Sequence, residues 1–408
     1  MGQDRRGFHK RAWRRAGGIV KLILYAHSWA PSVGGVETAT MILARGLAEW
    51  AAAHAGEEVA VTLVTRTPAN GMDDSALPFQ VARRPVIGEL IRLVREADVV
   101  HIAGPCLMPA AIAWLMRKPA VIEHHGHQAI CPNGLLFKQP SQTLCPGHFA
   151  ARQYRECLRC CSSTEGLAGG LRTLLLTFPR RWLSGRLTAN IMISNRLGAR
   201  LELPRSTTIY YGIPDATPVS MESTRSASNG FEIAYVGRLV AEKGLPLLLE
   251  AAQWMKQQGV AFKLSFIGGG SERVRLGQMA ERLGLSDCVT FTGDLRGADL
   301  EKTVGKIAVV VMPSVWEETA GLSAIEQMMR GRVVIAADIG GLGEVVDGGG
   351  LKFAPGDWRA LAACMQKVAA DPELAKSLGS AARSRAMRMF RQDSMIQAHL
   401  SLYREVSR

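Results

Sequence analysis

Nowhere in the 408 residues do apolar side chains run unbroken for the roughly 20 positions a bilayer-spanning helix needs; charge, glycine or proline interrupts every candidate. The arginine-bearing start also lacks an apolar segment of secretory length, because Ala16, Gly17 and Gly18 lead straight into a short strand-like run. These absences lead to the expectation of a cytoplasmic protein that does not cross a membrane. The spaced glycines of a dinucleotide fingerprint are missing too: Gly268, Gly269 and Gly270 have no third spaced partner, which argues against a nicotinamide-dependent dehydrogenase. No repeat of solenoid period is present.

Acidic residues are the scarcer charge, 36 against 49 basic, and the net +13 is local. Residues 1–18 carry six Lys and Arg against Asp4, and residues 172–205 carry seven Arg against Glu202. Such clusters attract nucleic acid, anionic membrane or phosphorylated substrates. Leu171, Leu174, Leu175 and Phe178 fall at helical spacing beside the second cluster. We read them as the buried stripe of a core helix, with a helix lying on a membrane surface as the alternative. No recognition motif accompanies the charge, so nucleic acid is not an expected partner.

A chain of this length suggests two domains of about 100–200 residues each. Strand-like runs at Lys21–Ala26, Val59–Thr65, Asp98–Ile102 and Ala120–His124 alternate with helical stretches, a pattern that builds parallel sheets. Residues 214–230, rich in Ser, Thr, Asn and Pro, read as a linker. The alternation then restarts at Phe231–Val236 and continues through Val333–Ala336. The reading is therefore a basic extension at 1–18, an α/β domain at 19–213, a linker at 214–230, a second α/β domain at 231–385 and a C-terminal helix at 386–408. Ligands bind open parallel sheets beyond the carboxyl ends of the strands, so chemistry is expected on strand-to-helix loops.

After Phe231–Val236 come Arg238 and Lys243, two cations at a strand's end. Read alone, such a pair is a solvated loop; as a pair it suits neighbouring phosphate oxygens and a leaving diphosphate. Glu318 and Glu326 stand eight residues apart across Gly321 and Leu322, where a helix start would offer N–H groups and a positive dipole end to an anion. A carboxylate there accepts hydrogen bonds from a ribose diol or a sugar. In the first half, Gly34 and Gly35 open a loop that can approach a ligand closely. His124, His125 and His127 follow a strand; three histidines also suggest a metal site, which alternation of direction along a strand disfavours.

The GR and EKG of 237–244, the GGVE of 34–37, the Glu318-to-Glu326 spacing and the IGGLGEVV of 339–346 occur in the order seen in family-4 glycosyltransferases, which the chain resembles over roughly residues 20–390. The resemblance implies an α/β fold of GT-B architecture, two doubly wound parallel-sheet domains facing a central cleft, the first on the acceptor side and the second binding the nucleotide sugar, with the C-terminal helix packing back on the N-terminal domain. It further implies a nucleoside-diphosphate sugar as donor, retention of anomeric configuration and no catalytic metal. On that pattern Arg238 and Lys243 bind the diphosphate, Glu326 the ribose and Glu318 the transferred sugar. Gly321 and Leu322 supply backbone N–H groups, Gly34 and Gly35 approach the donor, and His125 lies near the reacting carbon, with His124 or His127 as alternatives. The acceptor is expected to be a glycan or glycolipid, with peripheral contact to an anionic membrane on its inner face. No pair of carboxylates suited to double displacement is evident, which favours front-face attack. Tyr211 stands where the family often carries Asn, and Gly343 where it often carries Pro. Rival readings are an epimerase or phosphorylase of the same fold, and a non-catalytic binding subunit that uses the basic segments.

Cys131, Cys145, Cys157 and Cys160 lie in an irregular-looking insert at about 131–161, with one CxxC but no second. Structural zinc is one reading and thiols without metal the other, with Cys161 adding ambiguity.

Overall fold

The computed structural model describes residues 20–54, 59–218, 225–226, 230–295 and 297–407, so the extension 1–18 and the middle of the linker lie outside the described residues. The chain divides into two compact units: Met1–Gly134, Gly147–Pro214 and Arg391–Arg408 form one, Leu135–Pro146 and Asp215–Phe390 the other.

The first unit opens with β1 (Val20–Ala26), α1 (Gly35–Ala53), β2 (Val59–Thr65), β3 (Gln80–Arg83), α2 (Ile87–Glu96), β4 (Val99–Ala103), α3 (Leu107–Leu115) and β5 (Ala120–His124). A short antiparallel pair, β6 (Phe137–Lys138) and β7 (Thr143–Leu144), counts with the second unit. Helix α4 (Tyr154–Ser184), β8 (Ala189–Met192), α5 (Asn195–Leu201) and β9 (Ser206–Thr208) complete the run. The sheet order is β3-β2-β1-β4-β5-β8-β9, with every pairing parallel. Helices on both faces bury such a sheet, which is why Leu22 to Ala26 and all of β4 and β5 are buried.

Helix α4 corrects two expectations. The insert is not irregular throughout, because Cys157, Cys160 and Cys161 lie on this helix. Its two segments meet at Gly166 (φ 71°, ψ 170°), and Gly170 approaches the Ser162 backbone so closely that a Cβ would stand 2.7 Å from its nitrogen. Nor is 171–178 a core stripe: Leu174 is buried, whereas Leu171, Leu175 and Phe178 are exposed.

The second unit holds β10 (Arg225–Ser226), β11 (Gly230–Val236), α6 (Leu245–Gln257), β12 (Phe262–Ile267), α7 (Arg273–Arg282), β13 (Val289–Gly293), α8 (Gly297–Val304), β14 (Val309–Met312), α9 (Leu322–Met329), β15 (Val333–Ala337), α10 (Gly340–Val346), β16 (Leu351–Phe353), α11 (Trp358–Ala370) and α12 (Pro372–Met389). Its parallel path is β13-β12-β11-β14-β15-β16, with β10 antiparallel to β11. Helices α11 and α12 start at Asp357 and Asp371, whose side chains accept from the N–H groups of Ala360 and Leu374.

The expected C-terminal helix is broken at Phe390 and Arg391, and α13 (Gln392–Val406) belongs to the first unit. Its Met395, Ile396, Leu400 and Tyr403 join Leu43, Leu47 and Trp29 in that unit's core.

Arg332 is fully buried in the second unit, donating to the carbonyls of Ile307 (3.1 Å) and Val304 (2.7 Å) and to Gln327 Oε1 (2.8 Å). Burial lowers its pKa to about 10, still charged near neutrality. Arg332→Met strands three buried acceptors, and we expect a loss of about 3 kcal/mol. In thermal melts that reads as a fall of roughly 6–12 °C; an unchanged melting temperature would show that these bonds do not support the unit.

Candidate active site

In the second unit the chain passes from β11 to β12 on one side and reaches β14 on the other. Connections leaving two neighbouring parallel strands in opposite directions open a crevice beyond their carboxyl ends. The β11 loop carries Arg238 and Lys243, and the β14 loop carries Ser314, Glu318 and Gly321.

Backbone packing holds the β11 loop. Tyr235 Oη donates to the Arg238 carbonyl (2.8 Å), and a Cβ on Gly268 or Gly270 would collide with the carbonyl of Gly237 or Leu239. The glycines that fail as a dinucleotide fingerprint thus let the β12 loop pack against the β11 loop. Gly244, at φ 64°, turns the chain into α6 against the Pro313 carbonyl.

Lys243 Nζ lies 2.8 Å from Glu318 Oε1 and 5.5 Å from the Trp316 ring centroid. Ser314 Oγ donates to the same carboxylate oxygen. Arg238 extends outward, its side chain 66% exposed, with Nη2 3.8 Å from Glu242 Oε1. The structure therefore brings together Lys243 and Glu318, which are 75 residues apart. Gly321, at φ 92°, is the N-cap of α9, and Leu322 begins the helix, whose first N–H groups have no partner within it. Glu326 occupies the second turn, and burial pushes its carboxyl up to about 7 despite the opposing charge of Arg330.

In the first unit Gly34 is the N-cap of α1 with extended backbone (φ −176°), and a Cβ there would meet the Glu37 carboxylate. Gly35 faces open space, with nothing within 4 Å of where a Cβ would stand. His125 follows β5, its Nδ1 2.7 Å from Tyr211 Oη, and the two rings stack with centroids 5.8 Å apart. Its Nε2 lies 3.6 Å from Glu123 Oε2. Burial lowers its pKa, with Glu123 opposing. His124 Nε2 pairs with Asn190 Oδ1 (2.9 Å) in the core, and buried His127 donates its backbone N–H to the Gly134 carbonyl.

A buried network below His125 escaped the sequence reading. His101 Nε2 is 3.1 Å from Glu123 Oε2, and its Nδ1 is 2.7 Å from Tyr403 Oη. Ionised Glu123 only accepts, so His101 carries its hydrogen on Nε2 and Nδ1 accepts from the tyrosine. Burial would raise the Glu123 pKa, but the imidazoles of His125, His101 and His399 bring it down to about 2. His399 Nε2 stands 3.9 Å from Glu123 Oε1. A carboxylate within a wholly buried strand was the available signal. Its partners, on β4 and α13, are too distant in sequence to be found by spacing.

Asn133 spans two cysteines of the insert, accepting from Cys131 Sγ (3.0 Å) and donating to Cys160 Sγ (3.5 Å). Burial and the neighbouring Cys160 and Cys131 push the Cys161 thiol up to about 12.

Two doubly wound parallel-sheet units, the second with cations, a carboxylate and a helix start at its switch point, define the GT-B class of α/β proteins. Residues 217–385 match the family described as Glycosyl transferases group 1. Among curated relatives, the 2-deoxystreptamine glucosyltransferase of Streptomyces kanamyceticus is 29% identical over 215 residues, 48% of this chain and 55% of that protein. The D-inositol 3-phosphate glycosyltransferase of Corynebacterium jeikeium is 33% identical over 186 residues, 43% of each chain. The chain thus spans about half the length of the curated relatives it matches. Among solved structures, sucrose-phosphate synthase from Thermosynechococcus elongatus superposes with a TM-score of 0.70 at 21% identity, covering 95% of this chain and 99% of that one. Anabaena HepE in complex with UDP-glucose gives 0.69 at 18% identity, covering 94% and 98%.

The Glu326 carboxyl has a testable consequence. Its folded pKa of about 7 exceeds the ordinary 4.5, so below pH 4.5 both states are protonated and no penalty arises. Between about 4.5 and 7 the unfolded chain releases its proton first, and stability falls as pH rises. Glu326→Gln should therefore lie close to the parent at pH 4 and exceed it by about 1–3 kcal/mol at pH 8.5 in denaturant melts. Equal stability at both pH values would contradict the shifted carboxyl.

Proposed function

We propose that this chain is a retaining glycosyltransferase that moves a sugar from a nucleoside-diphosphate sugar to a lipid-linked or polysaccharide glycan. The observation that carries the reading is the Lys243–Glu318 pair beside the N-terminus of α9, with Arg238 extended from the adjacent strand end. Arg238, Lys243 and the N–H groups of Gly321 and Leu322 hold the diphosphate and stabilise the charge it gains as the sugar leaves. These groups supply the positive charge, so the reading calls on no catalytic metal. Glu326 accepts from the ribose diol. Diphosphate binding draws Lys243 from Glu318, whose carboxylate then accepts from sugar hydroxyls.

The bond from the anomeric carbon to the phosphate oxygen breaks as the acceptor oxygen attacks from the same face, and the acceptor proton passes to the departing phosphate. His125, held by Tyr211 and Glu123, lines the reacting sugar, while Gly34 and Gly35 give the donor close access. The same reading puts the reaction in the cytoplasm, at the inner face of a membrane. The reading keeps structural zinc on Cys131, Cys145, Cys157 and Cys160 as one use of the insert's thiols, thiols without metal being the other.

Thermal stabilisation by a panel of nucleoside diphosphates tests the donor site, with UDP first because HepE is described with UDP-glucose. A ligand at about 100 times its dissociation constant adds roughly 2.7 kcal/mol. We expect a base-selective shift that Glu326→Ala abolishes. Lys243→Ala should weaken the nucleotide about 10–100-fold. No shift with any nucleotide would sink the transferase reading, and an inverted anomer in the first transfer product would sink retention.

A further inference from the structure

Of the thirteen large apolar side chains exposed among the described residues, eight lie on α3 and α4 of the first unit. On α4 they are Leu167, Leu171, Leu175, Phe178 and Trp182. At 100° per residue these five occupy an arc of about 80°, one continuous stripe. The adjoining side of the helix is in the core: Gly170, Leu174 and Thr177 are buried. Trp114, at the end of α3, meets Trp182 edge-on with centroids 4.9 Å apart, and Leu115 beside it is 71% exposed, so the stripe continues onto the neighbouring helix. Phe178 and Trp182 also wall a groove of about 800 Å³ that Arg152 and Arg181 line as well.

A contiguous apolar face on a folded unit marks an interaction surface, and the charge around it says which kind. Arg172 is exposed beside the stripe, Arg186 beyond its C-terminal end, and Arg117 at the end of α3. The Arg186 guanidinium lies 5.0 Å over the Trp182 ring, an aromatic and a cation at one end of an apolar strip. Residues 172–205 carry seven Arg against Glu202. Protein interfaces exclude charge from their centres, whereas interfacial helices set Leu, Phe and Trp against a basic flank and rest on anionic lipid. No helix among the described residues is long and apolar enough to cross a membrane.

We infer that the α3–α4 face is a docking surface for an anionic lipid bilayer, the stripe entering the acyl boundary and Arg172, Arg186 and Arg117 meeting the headgroups. The inference deepens the proposed membrane-side transferase by naming the surface. It uses none of the donor-site residues, so the two can fail separately.

The test is co-sedimentation of the full chain with phosphatidylcholine vesicles, with and without about one-third phosphatidylserine. Binding should require the anionic lipid and weaken with salt. The combined variant Leu167→Ser, Leu171→Ser, Leu175→Ser should lower vesicle affinity by at least about tenfold, while its melting temperature and nucleotide-induced shift stay at the parent's values. The double variant Arg172→Glu, Arg186→Glu should lower it as well and flatten the salt dependence. Absent binding, equal binding to neutral vesicles, or unaltered binding by both variants would overturn the inference. So would a dimer in the parent that the serine variant dissociates, which would assign the face to a second copy. Vesicle binding without any nucleotide shift would overturn the transferase reading and leave the docking surface standing.

Discussion

Two neighbouring parallel strands whose connections diverge are the constraint from which the candidate site follows. With β12 on one side of β11 and β14 on the other, the loops after β11 and β14 are forced to border a single crevice. Lys243 comes from one loop and Glu318 from the other, and their 2.8 Å contact closes the crevice electrostatically. Neither group could be buried alone at reasonable cost, since an unpaired buried charge is strongly unfavourable. The pair therefore lets each loop bury a charge that the other compensates.

The first unit solves a different electrostatic problem. Its sheet buries Glu123 among apolar strands, and the cost is offset by His101, itself braced by Tyr403 of α13. The C-terminal helix thus does more than cover α1. It completes a polar network that reaches His125 through Glu123, so the stability of the core and the setting of a candidate catalytic side chain depend on the same residues. Tyr211, conspicuous in the sequence for replacing an expected Asn, holds the other side of that imidazole.

Much of the α/β architecture was legible because parallel strands buried on both faces read as short apolar runs and the helices between them keep their period. Those cues are local. They also showed Arg238, Lys243, Glu318 and Glu326 on loops and a helix start. They could not show that Asn133 would bridge two cysteines, or that Cys157, Cys160 and Cys161 would lie on a helix that breaks at Gly166.

The stripe on α4 marks the boundary between the two kinds of information. Sequence by itself determined that Leu171, Leu174, Leu175 and Phe178 fall at helical spacing and that arginines lie near them, because helical geometry depends only on the chain's own backbone. It equally determined the order of strands, loops and cations along the chain. Tertiary structure decided which face of α4 turns to the core, which carboxylate meets Lys243 and which residues surround Glu123. Those outcomes depend on how elements distant in sequence pack, and no local propensity encodes that.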